Sequence, residues 1–144
     1  MICESTSLNK YISKSSNIFF VFGSEIVLKN NSVDQINSFL MEHNFTEKKI
    51  ITEADYSKIE NIIIENASGS LFGSKIIIQI DHQKGKIPKE IINIFEMKNI
   101  KEFNNIALII KSSIEKINKS TKWVKLMDSL GLMVECNKLK SFEE

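Results

Sequence analysis

Five short apolar runs punctuate the chain: Ile18 to Phe22, Lys49 to Thr52, Lys75 to Ile80, Asn105 to Ile110 and Leu132 to Glu135. Most are unbroken stretches of Ile, Val, Phe and Leu rather than strict alternations, which is the pattern of strands covered on both faces. Between them the apolar positions recur at helical spacing. Val33, Ile36 and Leu40 lie three and four apart, and Ile59, Ile62, Ile63 and Asn66 repeat the spacing with one polar member. Ile87, Ile91, Ile94 and Phe95 form a stripe around Pro88, whose fixed φ suits a first helical turn. Trp123, Leu126, Met127 and Leu130 give the clearest amphipathic face, with Ser120 or Thr121 placed to cap its start and Gly131 to end it at the C′ position. A shorter helix is expected around Leu8 to Ile12.

Strands alternating with helices of this length predict a parallel sheet with helices on both faces, a three-layer α/β/α domain. No internal repeat, low-complexity tract or linker divides it. The expected layout is an N-terminal extension over residues 1–17, one domain over 18–140 and a short tail over 141–144. The chain therefore stops about where a single α/β domain would finish.

Composition narrows the function. The chain has 144 residues, 42% hydrophobic and 26% charged, as in an ordinary globular domain. No apolar run approaches the roughly 18 residues of a membrane span, and Met1 to Ser16 is too polar for a signal peptide. A cytoplasmic monomer is expected. The net charge of +1 argues against a dedicated nucleic-acid surface. All 19 basic residues are lysine, so the chain supplies no bidentate guanidinium clamp and no arginine finger. Lysines between Lys116 and Lys125 read as a solvated helix face. Cys3 and Cys136 are too few for a disulfide framework and read as unpaired thiols in a reducing compartment, Cys3 in a mobile terminus. His43 and His82 have no metal-ligand spacing with each other or with the cysteines, and no metal or cofactor is expected.

The carboxyl ends of the strands are where an open parallel sheet binds ligands. After the first strand, Gly23 to Asn30 partly matches a phosphate-binding loop. Gly23 and Lys29 are in place, but Leu28 stands where the second glycine belongs and Asn30 where the magnesium-binding hydroxyl belongs. The glycines let backbone N–H groups wrap the phosphates, and a leucine side chain obstructs that wrap. Asp81, after the third strand, reads as a turn former and His82 beside it as solvated. Lys111, Ser112 and Ser113 after the fourth strand lack the third, orienting group of a nucleophile-and-base site.

Ser68-Gly69-Ser70-Leu71-Phe72-Gly73-Ser74 follows no period. Two large apolar residues stand together between small ones. They are either a buried plug, which the pattern alone favours, or an exposed apolar anchor for a partner. Filling a pocket with both side chains would yield roughly 3–6 kcal/mol gross.

Ser70-Leu71-Phe72-Gly73-Ser74-Lys75 before an apolar strand resembles the clamp-binding segment of the bacterial DNA polymerase III delta subunit. Phe20-Val21-Phe22-Gly23-Ser24-Glu25, then Leu28, is similar to that family's opening strand and turn. Ala107 to Ile110 with Lys119 to Trp123 resembles its fourth strand and following helix, and Gly131 to Cys136 with Leu139 its last strand and exit. The resemblance spans about residues 8 to 140. It implies a degenerate AAA+-like, P-loop-like domain with a five-stranded parallel sheet ordered 5-1-4-3-2. It also implies a non-catalytic replication role: holding and helping to open the beta sliding clamp, with Leu71 and Phe72, flanked by Ser70 and Gly73, entering an apolar pocket on the clamp. The other partners it implies are the gamma/tau and delta-prime subunits of the clamp loader, with DNA met only through the assembled loader. Family members are roughly twice as long and carry lid and collar domains. A fragment or a truncated protein, able to engage a clamp but not to join the loader, is the corresponding expectation. Two alternatives remain: a nucleotide-binding ATPase using Gly23, Lys29 and Asp81, and an α/β interaction scaffold unrelated to replication.

Overall fold

A computed structural model describes residues 1–14, 16–67 and 75–137. Its strands are β1 (Ile2–Glu4), β2 (Ile18–Phe22), β3 (Phe45–Ile51), β4 (Lys75–His82), β5 (Ile106–Ser112) and β6 (Leu132–Glu135). The α-helices are α1 (Leu8–Tyr11), α2 (Ile26–Glu42), α3 (Ile59–Ala67), α4 (Lys89–Glu96) and α5 (Lys122–Leu130). The strands form one sheet in the order β1-β6-β2-β5-β4-β3, and every neighbouring pair is parallel.

Among the described residues the sheet has six strands rather than the expected five. Without β1, the remaining strands stand in the expected order. The extra strand comes from the stretch read as an extension: Ile2, Cys3 and Glu4 pair with Met133, Val134 and Glu135. Three residues are too short to show a period. Cys3, expected in a mobile terminus, is instead buried in this edge strand.

The unbroken apolar runs are explained by two cores, one on each face of the sheet. Every residue of β2 is buried. Ile18, Phe20 and Phe22 point to one core, and Phe19 and Val21 to the other. Leu108 and Ile110 of β5 face the first core, and Ala107 and Ile109 the second. Helices α3, α4 and α5 cover the first face through Ile59, Ile63, Ile91, Ile94, Phe95, Val124 and Met127. Helices α1 and α2 cover the second through Leu8, Val33, Ile36 and Leu40. Trp123 closes the first layer, its ring 5.3 Å from that of Phe20 and 6.2 Å from that of Phe95.

Three details depart from the sequence pattern. Strand β3 starts at Phe45, and its residues between Phe45 and Ile51 are exposed, because it is an edge strand. Lys48 and Lys49 there keep the open edge charged, a usual guard against strand-to-strand aggregation. Pro88 is the N-cap of α4, its carbonyl accepting from the N–H groups of Ile91 and Ile92, so Ile87 lies outside the helix. Gly131 closes α5 in extended backbone (φ −167°), and its requirement is space: a Cβ there would lie 2.0 Å from the Ile18 carbonyl oxygen.

Candidate functional site

The partial phosphate loop sits where it was expected, between β2 and α2 at the carboxyl edge of the sheet. Gly23 adopts φ +130°, a conformation open to glycine. A side chain there would also collide with the chain's own exit strand, since a Cβ would lie 2.2 Å from the Cys136 carbonyl oxygen. The turn is bound to that exit. Gly23 N–H donates to the Ile114 carbonyl (2.8 Å), Ser24 N–H to Asn137 Oδ1 (2.8 Å) and Glu25 N–H to the Cys136 carbonyl (3.0 Å). Each of these three turn N–H groups therefore has an acceptor within the chain.

The side chains of the loop are engaged as well. Leu28 is half-buried and packs on the core beneath α2. Lys29 is buried and donates from Nζ to the Ser112 carbonyl at 3.2 Å. Burial lowers its pKa, and the neighbouring charge of Lys111 lowers it further, with Cys136 acting in the opposite sense. Lys111 Nζ donates to Asn30 Oδ1 at 2.5 Å, so the residue in the magnesium-ligand position is held by a cation. Leu28 and Asn30 supply neither the second glycine nor the hydroxyl of a phosphate-binding loop. A cleft of about 340 Å³ remains beside Ile26, Lys29, Asp81, Lys111 and Ser113.

Asn137 joins three loops at this edge. Its Oδ1 accepts from the N–H and hydroxyl of Ser24, and its Nδ2 donates to the Glu115 carbonyl and to Glu135 Oε2, both at 2.9 Å. Nothing in the sequence marked it, because its partners lie up to 113 positions away.

Asp81 and His82 belong to β4 rather than to a turn, so the strand outlasts its apolar run. Asp81 Oδ1 accepts from Gln79 Nε2 at 3.0 Å. His82, expected in solvent, is buried, with Nδ1 2.8 Å from Ser112 Oγ. Burial pushes its pKa below the ordinary value, partly offset by the backbone of Lys84 and Lys86. Ser112 Oγ also accepts from the Ile114 N–H (3.2 Å), which makes the pair a pin between the ends of β4 and β5. Cys3 and Cys136 are buried free thiols. Burial pushes Cys3 up to about 11 and raises Cys136 as well. The His43 ring lies 4.3 Å from that of Phe39 at a tilt of 34°, and its Nδ1 hydrogen-bonds the Phe39 carbonyl. Among the described residues no cluster of His, Cys, Asp and Glu could hold a metal ion.

Ser70, Leu71, Phe72 and Gly73 lie outside the described residues. The ends of their segment do not. Asn105 Nδ2 donates to the Asn66 carbonyl at the close of α3 (2.6 Å), and the Asn105 carbonyl accepts from the Ile76 N–H at the opening of β4 (2.9 Å).

The family model described as DNA polymerase III, delta subunit, matches residues 19–137, most of the chain. The chain belongs to the DNA polymerase III delta subunit family. No curated protein matches it. Among solved structures, this delta-family chain is similar to the Bacillus subtilis DNA clamp loader delta protein, with a TM-score of 0.65 and 14% identity over 96% of this chain and 44% of that one. It is also similar to Rif2, solved in complex with the C-terminal domain of Rap1, with a TM-score of 0.52 and 19% identity over 95% of this chain and 54% of that one. At these identities the likeness is one of fold. The delta-family chain spans less than half the length of the Bacillus subtilis protein it matches. Among its described residues no helix is long and apolar enough to cross a membrane.

Proposed function

We propose that this chain is the clamp-binding domain of a clamp-loader delta subunit, a degenerate AAA+-like module that grips the beta sliding clamp and helps open it without hydrolysing ATP. The observation that carries the reading is the delta-family match across residues 19–137, which includes Leu71 and Phe72. Those two residues are the apolar anchor, with Ser70 and Gly73 as small flanks. In the full-length protein the other partners are the gamma/tau and delta-prime subunits, and DNA is reached through the assembled loader.

The closed phosphate loop supports the non-catalytic half of the reading. A phosphate would meet a turn whose N–H groups at Gly23, Ser24 and Glu25 are already bonded to Ile114, Asn137 and Cys136. It would gain neither a flexible glycine at Leu28 nor a hydroxyl at Asn30.

Substituting Leu71→Ala together with Phe72→Ala tests the anchor. Co-migration with the cognate beta clamp on a sizing column is expected to disappear while the melting temperature stays close to that of the unsubstituted chain. A double variant that melts far lower, in a chain that never binds the clamp, would mean that the two residues are a core plug.

A further inference from the structure

The cleft of about 340 Å³ at the carboxyl edge of the sheet lies between the start of α2 and the ends of β4 and β5. Its wall favours an anion. Lys29 is only 7% exposed, yet its Nζ has one acceptor, the Ser112 carbonyl. An ammonium carries three donors, so two of those on this buried cation have no acceptor among the described residues. Lys111 lines the same cleft and likewise uses a single donor, on Asn30 Oδ1. The ion pairs among the described residues involve neither lysine. The two cations oppose each other's charge, since Lys111 pushes the Lys29 pKa further down than burial alone does. Helix α2 has no side-chain cap, and Ile26 in its first turn lines the cleft, so N–H groups without a partner inside the helix lie at its rim. Asp81 faces Lys111 across the β4–β5 register and also lines the cleft. Its Oδ1 accepts from Gln79 Nε2, and its second carboxylate oxygen has no hydrogen bond among the described residues.

We propose that this cleft is a binding site for inorganic phosphate: Lys29 and Lys111 donate to the phosphate oxygens, and Asp81 accepts the proton that the phosphate retains. The site is independent of the clamp-binding reading. It is also separate from the turn after β2, because the N–H groups of Gly23, Ser24 and Glu25 stay bonded within the chain and take no part. The start of α2 adds the positive end of a 17-residue helix. Two lysines alone would accept any small oxyanion, and the carboxylate supplies the choice. An ionised aspartate only accepts hydrogen bonds. Phosphate near neutral pH keeps a proton that it can donate to Asp81. Sulfate has none, and would set a bare anionic oxygen against the carboxylate. The cleft therefore discriminates between two tetrahedral oxyanions of the same shape by a repulsive contact made with only one of them.

The test is a titration of the full, isotope-labelled chain with inorganic phosphate and, separately, with sulfate, followed by backbone amide NMR shifts. A phosphate-free buffer held at constant ionic strength removes general screening. Phosphate should shift the amides of Ile26, Lys29, Asp81 and Lys111 to saturation with a Kd of about 1 mM or tighter, and sulfate should leave them unchanged. Lys111→Met, at a half-buried position, should weaken phosphate binding about tenfold, the loss of one charge-assisted hydrogen bond. Lys125→Met, on the exposed side of α5, should bind like the unsubstituted chain. Asp81→Asn, which brings a donor to the cleft, should admit sulfate. Shifts that grow linearly with phosphate up to about 20 mM, or a Lys111→Met chain that binds as tightly as the unsubstituted one, would overturn the site. Sulfate saturating the unsubstituted chain as phosphate does would overturn the role of Asp81 and with it the assignment to phosphate.

Discussion

His82 shows how a single side chain escapes a reading by pattern. It follows an apolar run and an aspartate, and so looks like the start of a solvated turn. In the structure β4 continues through it, and the register pairs it with Ser112 on β5. Two strand ends are thus pinned by a buried imidazole and a hydroxyl, a contact between positions 30 apart that no local pattern encodes. The pin has a pH signature. Burial holds the folded imidazole below the ordinary value of 6.5, so as pH falls the unfolded chain takes up the proton first. This contribution to stability is therefore fully present above about pH 6.5 and is lost progressively below it. Melting temperatures measured between pH 7.5 and about 5 should decline for the unsubstituted chain, and His82→Gln should flatten that decline. Gly23 is the opposite case. Its place in the turn after β2 was legible in the sequence, but the Cys136 carbonyl that excludes a side chain there was not.

Elements were more legible than residues, for a physical reason. A strand covered on both faces must be apolar throughout, and β2, β4 and β5 announce themselves that way. The α5 face is equally plain, because Trp123, Leu126, Met127 and Leu130 all meet one core. Edge elements obey weaker rules. Strand β3 is mostly exposed and carries charge, so only its end was visible as apolar, and β1 is too short to have a period. The connections between elements were least legible of all. The turn after β2, the loop after β5 and the exit from β6 are joined by Asn137, a polar residue that looks like any other in sequence. Asn137→Ala should destabilise the domain by about 1–2 kcal/mol. Urea unfolding would read this as a lower midpoint with an unchanged slope. An unchanged midpoint would show that these loops hold together without it.

At the scale of the molecule, the turn after β2 is closed on the chain itself. Its N–H groups bind the loop after β5 and the exit from β6, Lys29 is buried against the end of β5, and Lys111 holds Asn30. The missing glycine and hydroxyl at Leu28 and Asn30 were visible in the sequence; the acceptors of the turn's N–H groups were not. On the proposed reading the domain is a platform whose recognition residues are Leu71 and Phe72, which lie outside the described residues. Such a platform should recognise its partner by shape and apolar contact, independently of nucleotide. The most direct measurement is a calorimetric titration of the cognate beta sliding clamp with this chain, run once in buffer and once with ATP and Mg²⁺. Saturable binding with a micromolar or tighter Kd, the same in both titrations, is the expected result. No binding at tens of micromolar, or an affinity that changes when ATP and Mg²⁺ are added, would contradict a nucleotide-independent clamp-binding domain.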